Sequence, residues 1–428
     1  MSYALRRAGA LIPLLAILNG PAPAAQELPV AEAEERVRAV LMETPLLDGH
    51  NDLPWQYFRR ADNRLGELDI GVEQGDLDPP LHTDIPRLRR GGVGAQFWSV
   101  YVPIPEYGGS PGDALRVLRQ MDVVRRLAAV YDNDLELAFT AADVRRIHAD
   151  GRIASLMGIE GGHAIEDDLA ILRGLYAAGA RYMTLTHGRG LRWADSATDE
   201  ARHGGLTEFG FEVVREMNRL GMLVDLSHVS ADTMHDALDV ARAPVIFSHS
   251  SARAVTDHPR NVPDAVLERL PENGGVVMVT FVPSFVSDAA RERSREYYGQ
   301  RARLQSMYPH DADRRAEMLA AWEAANPDPG AAIADVADHI DHIREVAGIE
   351  HIGLGGDFDG VGSLPAGLED VSTYPALLAE LLRRGYSEAD IAAIAGDNVL
   401  RAMQQAEAVA RQLQVERRAS EMRPAADP

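Results

Sequence analysis

The chain contains no cysteine. Disulfides, a thiol nucleophile and cysteine-ligated zinc or iron–sulfur centres are therefore excluded. Lysine is absent as well, and all 43 basic residues are arginine. That removes Schiff-base chemistry, lysine-anchored cofactors and a P-loop lysine. Positive charge is in short supply: 65 acidic residues against 43 basic ones give a formal net charge of −22. A surface this acidic repels nucleic acid and anionic lipid, so neither is expected as a partner. No linker rich in Pro, Gly or Ser divides the chain, and no short sequence period is present.

At the N-terminus, Arg6 and Arg7 precede an apolar run over residues 8–18, and Ala22-Pro23-Ala24 gives a small-x-small cleavage pattern. This reads as a secretory signal over residues 1–25. The run falls short of the ~20 residues a spanning helix needs. The C-terminal residues 415–428 are polar, with no GPI-type tail. A periplasmic or secreted location follows as an expectation, with no stable membrane anchor after cleavage and one domain over residues 26–428.

Within that domain a pattern recurs: a short β-rich apolar run, a polar residue at its end, then a helical stretch. Eight runs fall at 45–52, 94–100, 153–160, 181–187, 222–228, 244–249, 275–281 and 351–357. Near-continuous apolar runs such as Val276-Val277-Met278-Val279 suit strands buried on both faces. Helical patterns lie between them at 113–131, 167–178 and 207–220, the last with Thr207 as a plausible cap. Alternation of this kind implies parallel pairing, and eight units predict a closed (β/α)8 TIM barrel rather than an open doubly wound sheet. Three regions read as helical additions: 25–44 before the barrel, 284–349 between the seventh and eighth strands, and 387–419 at the end.

The polar residues at the ends of these runs carry the chemical information. The first run ends in His50-Asn51-Asp52, the third in Glu160, the fourth in His187, the fifth in His228, the sixth in His249 and the eighth in Asp357. In a parallel barrel every C-terminal strand end opens on one face, so four histidines and three carboxylates are expected in one mouth. Any one of them alone is more often a satisfied structural residue; the coincidence across six runs is what packing does not explain. Imidazole and carboxylate suit zinc and its neighbours. Seven such groups exceed what one tetrahedral ion needs, so two ions are expected, with Glu160 as the candidate bridge. A hydroxide held between them would be a nucleophile at neutral pH. Arg260, in a loop after the sixth run, is placed to hold a substrate carboxylate, and Asp357 to transfer a proton. His82, His148, His235, His310, His339 and His342 are expected at the surface, His163 in an exposed loop, and His351 at the far end of the barrel.

At these residues the sequence resembles the membrane dipeptidase (renal dipeptidase-like) family of zinc peptidases. The resemblance is carried by Asp48-Gly49-His50-Asn51-Asp52-Leu53-Pro54-Trp55, Gly158-Ile159-Glu160-Gly161-Gly162, Trp193-Ala194-Asp195-Ser196, Val224-Asp225-Leu226-Ser227-His228, Ser248-His249-Ser250-Ser251-Ala252, Arg260-Asn261-Val262-Pro263-Asp264 and Gly355-Gly356-Asp357-Phe358-Asp359-Gly360. The resemblance implies a (β/α)8 barrel with two zinc ions per chain. His50 and Asp52 would hold one ion, His228 and His249 the other, and Glu160 would bridge them. His187 would polarise the scissile carbonyl, Arg260 would bind the substrate's terminal carboxylate, and Asp357 would orient the hydroxide and pass its proton to the leaving amine. It further implies hydrolysis of dipeptides, tolerance of a C-terminal D-residue and a homodimer. The loop 188–192 departs from the animal sequences, which bears on specificity. The competing readings are a two-metal amidohydrolase acting on another small amide or lactam, and a non-catalytic binding protein on the same barrel.

Overall fold

The structure, a computed structural model, describes residues 28–424. The expected export signal over 1–25 lies outside them. Among the described residues, no helix is long and apolar enough to cross a membrane.

Nine strands form among the described residues: β1 Leu46–Asn51, β2 Val93–Tyr101, β3 Leu135–Leu137, β4 Ile153–Glu160, β5 Ala180–Thr184, β6 Leu223–Asp225, β7 Ile246–Ser250, β8 Val276–Val279 and β9 Ile352–Leu354. Every pairing is parallel. β2 pairs directly with β4, and β9 pairs with both β8 and β1, so eight strands close a ring in the order β1-β2-β4-β5-β6-β7-β8-β9. This is the predicted (β/α)8 barrel. The ninth strand, β3, was not expected. It lies outside the ring and pairs only with the first residues of β4, Leu135 opposite Ile153 and Leu137 opposite Ser155. Three residues, Leu-Glu-Leu, are too short for a legible period of two.

Several strands end earlier than the apolar runs suggest. β5 stops at Thr184 and β6 at Asp225, so His187 and His228 sit in the loops that follow. Asp52 is not on β1; it is the N-cap of the helix Leu53–Ala61. The loops nevertheless open on the C-terminal face, because each starts at the C-terminal end of its strand.

The barrel is packed and not hollow. Strand alternation directs Ala95 and Phe97 of β2, Leu156 of β4 and Tyr182 of β5 to one side, where they cluster with Ile246 and Met278. A larger cluster fills the space between sheet and outer helices, including Trp98, Val100, Ile159, Met183, Phe247 and Val277. The expected helices are present: Asp113–Val130, Leu169–Ala177 and Glu208–Leu220, the last capped by Thr207, whose hydroxyl accepts from the Gly210 amide. The N-terminal addition is the helix Val30–Glu43. The 284–349 addition becomes four helices, Pro283–Val286, Asp288–Met307, Ala312–Ala325 and Ile333–Val346. At the end, Glu388–Ala392 and Asn398–Glu416 flank a wider π turn at Ala393–Asp397.

Candidate active site

The seven predicted groups converge at the mouth. Glu160, on the last residue of β4, is 6 % exposed and divides the others between its two oxygens. Oε1 lies 3.1 Å from His228 Nε2, 3.4 Å from His187 Nε2 and 3.6 Å from His249 Nε2. Oε2 lies 3.5 Å from His50 Nε2 and accepts a 3.0 Å hydrogen bond from Ser99 on β2. His50 Nε2 is in turn 3.4 Å from Asp52 Oδ2. Three overlapping triplets are close enough to share an ion: His50-Glu160-His249, Glu160-His187-His228 and His50-Asp52-Asp357.

The imidazoles are aimed by partners behind them. His50 Nδ1 lies 2.9 Å from the Tyr182 hydroxyl, which donates to the Gly49 carbonyl at 3.2 Å. With that hydroxyl hydrogen committed, the Tyr182 oxygen accepts from Nδ1 and Nε2 is turned to the carboxylates; burial disfavours charge on this ring, but Tyr182, Glu160 and Asp52 outweigh it and raise its pKa well above the ordinary value. The Tyr182 ring fits here because residue 158 is glycine; a Cβ at that position would stand 1.9 Å from the ring. His249 is held in the same way. Its Nδ1 meets the Ser248 hydroxyl at 2.9 Å, and that hydroxyl donates to Asp225 at 2.6 Å. Asp225 also accepts from the Thr184 hydroxyl and from the amides of Ser227 and Ser248, so its position is over-determined. His187 is fixed through its backbone, whose carbonyl accepts a 2.6 Å bond from Ser196. His228 and Asp357 have φ of 68° and 61°, a conformation that costs free energy for residues other than glycine and concentrates at functional sites.

The electrostatics follow from burial and crowding. Burial lowers the His228 and His249 pKa well below the ordinary value, and Arg260 lowers both further, so both rings are neutral. Burial opposes ionisation of Glu160, but His50 and His187 outweigh it and hold the carboxyl well below its usual range. Burial, then the Asp52 charge, drives Asp357 the other way, well above the ordinary carboxylate value. The raised value keeps the Asp357 carboxyl able to hold a proton, while Glu160 stays ionised.

The donor set fits divalent ions of the zinc type. His50 Nε2 is buried with no hydrogen-bond partner and faces two carboxylates. The neutral rings of His228 and His249 bring two more nitrogens, 2.9 Å apart, beside Glu160. Nitrogen and carboxylate oxygen donors with oriented second partners match zinc in kind.

Arg260 stands apart from this cluster. It is 3 % exposed, it contacts the Ser250 hydroxyl at 3.4 Å and the His249 carbonyl at 3.2 Å, and its guanidinium lies over the Phe285 ring. Among the described residues no carboxylate pairs with it, and burial pushes it down to about 10. It shares with the metal-ligand candidates a cavity of about 610 Å³, also lined by Trp55, Tyr101, His258, Phe285, Ser294 and Tyr298. That volume suits a small ligand.

The family model for membrane dipeptidase, peptidase family M19, matches residues 34–417. The chain belongs to this family. It is a metallodipeptidase with the M19 fold. An uncharacterized dipeptidase of Schizosaccharomyces pombe is 44 % identical over 380 residues, which is 86 % of this chain and 82 % of that one. The crystal structure of a probable dipeptidase from Pseudomonas aeruginosa superposes with a TM-score of 0.75 at 24 % identity, covering 89 % of this chain and 99 % of that one. A metallopeptidase from Rhodobacter sphaeroides, solved with a phosphinate mimic of the dipeptide L-Ala-D-Ala, gives 0.69 at 26 % identity, covering 85 % and 99 %.

Several expectations for the M19 chain need correction. His339 is fully buried: Nδ1 accepts from the Ala252 amide and Nε2 donates to the Val286 carbonyl. His163 is buried and donates to the Val102 carbonyl; His351, expected at the far end of the barrel, stands immediately before β9 and is buried against the Gly275 carbonyl. A backbone carbonyl accepts from each of the three rings, and sequence position shows none of these partners. The orienting residues Tyr182, Ser248 and Asp225 were not singled out. The one available signal was their alternation with site residues: Ser248 beside His249, and Asp225 on the inward face of its strand.

Proposed function

We propose that this M19 dipeptidase hydrolyses free dipeptides with two zinc ions, held by His50, Asp52, Glu160, His228 and His249. The observation that carries the reading is the division of Glu160, one oxygen toward His50 and the other toward His228 and His249. When bound, the ions would supply a hydroxide nucleophile at neutral pH and Lewis-acid polarisation of the scissile carbonyl.

The chain's own residues do the rest. Arg260, buried and without a carboxylate partner, takes the substrate's terminal carboxylate and sets the reading frame. His187, at the cavity wall and partly exposed, donates to the carbonyl oxygen as negative charge develops there. Asp357 takes a proton from the attacking water and delivers it to the amine nitrogen as the C–N bond breaks; its raised pKa suits both halves of the task. The carboxylate is fixed at one end only, so a C-terminal D-residue can be held by swinging its side chain into the cavity. The relative bound to an L-Ala-D-Ala mimic supports that tolerance. We further propose an exported, periplasmic or secreted enzyme, and a homodimer.

The test is hydrolysis of L-Ala-L-Ala, L-Ala-D-Ala, a tripeptide and an N-acetylated dipeptide by purified protein with its zinc quantified. Cleavage of the two free dipeptides alone, with about two zinc ions per chain, is the expected result. Zinc loading without dipeptide cleavage would redirect the reading to another small amide.

A further inference from the structure

The active-site cavity runs across the mouth of the barrel. Tyr101 ends β2 and Arg260 follows β7, and these two strands stand opposite each other in the eight-strand ring. With the substrate's terminal carboxylate on Arg260, its C-terminal residue lies at the β7 end. That end is walled by His258 and Phe285 and by the inserted helix Asp288–Met307, which contributes Ser294 and Tyr298. Ser294 and Tyr298 are four residues apart and so share one helix face. The His258 ring stacks on Phe285 with centroids 4.3 Å apart, and the Arg260 guanidinium lies 5.4 Å from the same ring. His258 and Arg260 are therefore neighbours against one aromatic side chain.

The imidazole of His258 is held in one orientation. Its Nδ1 accepts from the Arg260 amide at 3.2 Å. Burial, then Arg260, Arg291 and Arg253, lower its pKa to about 4, so the ring is neutral and its one hydrogen sits on Nε2. Nε2 is open to solvent and has no hydrogen-bond partner among the described residues. The Ser294 hydroxyl is in the same state, and Tyr298 is 60 % exposed with its hydroxyl also unpartnered among the described residues. Charge at this wall is positive, in a chain of net charge −22. Arg291 is 3.6 Å from Asp288 and donates to the Asp257 carbonyl at 2.7 Å, and Arg253 donates to the Pro259 carbonyl, with Asp257 acting on it only at longer range. The carboxylates that line the cavity, Asp52, Glu160 and Asp357, all belong to the metal-ligand triplets. The β7 end thus offers free donors and positive potential, and no carboxylate of its own.

On the dipeptidase reading, we propose that His258, Ser294 and Tyr298 form the subsite for the side chain of the substrate's C-terminal residue and select an acidic one of the glutamate type. His258 Nε2–H donates to the side-chain carboxylate, the two hydroxyls donate beside it, and Phe285 carries the methylenes. Arg260 keeps the main-chain carboxylate. An apolar side chain would leave these donors desolvated without a partner, and an amide would gain nothing from the surrounding arginines.

The test is kcat/KM of the zinc-loaded enzyme for L-Ala-L-Glu, L-Ala-L-Gln and L-Ala-L-Leu. The glutamate dipeptide should exceed the leucine one by about ten-fold or more, the worth of a charge-assisted hydrogen bond, with glutamine between. His258→Asn is the decisive variant. Asparagine oxygen accepts from the amide two residues on, as Nδ1 does here, but the side chain ends short of Nε2. The glutamate-to-leucine ratio should fall several-fold toward one, and a general loss of activity cancels in that ratio. Tyr298→Phe, at an exposed position, removes one hydroxyl and should move the ratio the same way, which keeps the test open if His258→Asn does not fold. Equal turnover of the glutamate and leucine dipeptides overturns the proposal, as does a ratio that folded His258→Asn leaves unmoved. Glutamine turned over as well as glutamate removes the selection for charge. Each of these outcomes leaves the dipeptidase assignment standing, whereas turnover of none of the three would remove that assignment and the subsite with it.

Discussion

Asp225 reaches His249 through a single hydroxyl. Ser248 donates to Asp225 Oδ2 at 2.6 Å and meets His249 Nδ1 at 2.9 Å. Because the hydroxyl has one hydrogen and Asp225 takes it, the Ser248 oxygen is left to accept from Nδ1, and the His249 tautomer is set.

Ser248→Ala should therefore lower zinc affinity about 10- to 100-fold while leaving the fold intact. Competition with a chromogenic chelator measures this. Unchanged affinity would show that the ring is aimed by packing alone.

Removal of metal should abolish dipeptide turnover and lower the melting temperature, and added zinc should restore both. A ligand that binds only the folded state stabilises it by roughly 4 kcal/mol at a thousand times its Kd. In His249→Ala, the zinc-dependent rise in melting temperature should shrink to that of a one-ion site or vanish.

Arg260→Met should reduce kcat/KM for free dipeptides by at least about 30-fold, since losing one partner of a buried charge pair costs roughly 2–5 kcal/mol. Dipeptide amides, which lack the carboxylate, should be turned over equally by both enzymes. The ratio of the two substrates is the measurement, and equal losses on both would remove Arg260 from carboxylate binding.

Gly360→Ala should impair the site without unfolding the chain. A Cβ there would stand 2.3 Å from Asp52 Oδ2 and 2.4 Å from Asp357 Oδ1, while the residue itself is exposed. Both carboxylates must move, and a fall in kcat of about ten-fold or more is expected from disturbed positioning. A far-ultraviolet spectrum and melting curve like wild type would assign the loss to the site.

His339 makes stability pH-dependent. Burial lowers its pKa to about 4, against an ordinary value of 6.5. As pH falls below 6.5 the unfolded chain takes up a proton that the folded chain refuses until about pH 4. The stabilisation is complete above that window and is lost on descending through it, by roughly 3 kcal/mol at 1.36 kcal/mol per unit. Chemical denaturation of His339→Gln should show a shallower decline over the same range. Parallel slopes for variant and wild type would refute the assignment.

Much of the site was legible because its residue types are rare at the ends of apolar runs. His50, Glu160, His228 and His249 each follow such a run, and the barrel puts those ends on one face. Asp52 was found for an incomplete reason: it lies beside His50 as a helix cap, and not through strand alternation. β3, the burial of His163, His339 and His351, and the orienting partners Tyr182 and Ser248 were not legible. Each depends on contacts between segments remote in sequence, such as His50 with Tyr182, which are 132 residues apart.

The sequence by itself determined the chemistry and the architecture. The absence of cysteine and lysine removed thiol and Schiff-base chemistry, and histidine and carboxylate at the strand ends pointed to a metal-assisted reaction. The alternation of apolar runs and amphipathic helices is a local property, which is why it could be read locally. The tertiary structure alone decided which nitrogen of each imidazole faces Glu160, that Arg260 is left without a carboxylate, and that Tyr101 stands across the mouth from it. Those outcomes follow from ring closure: pairing β9 with β1 brings the two ends of the chain's strand series together, and no local pattern encodes that register.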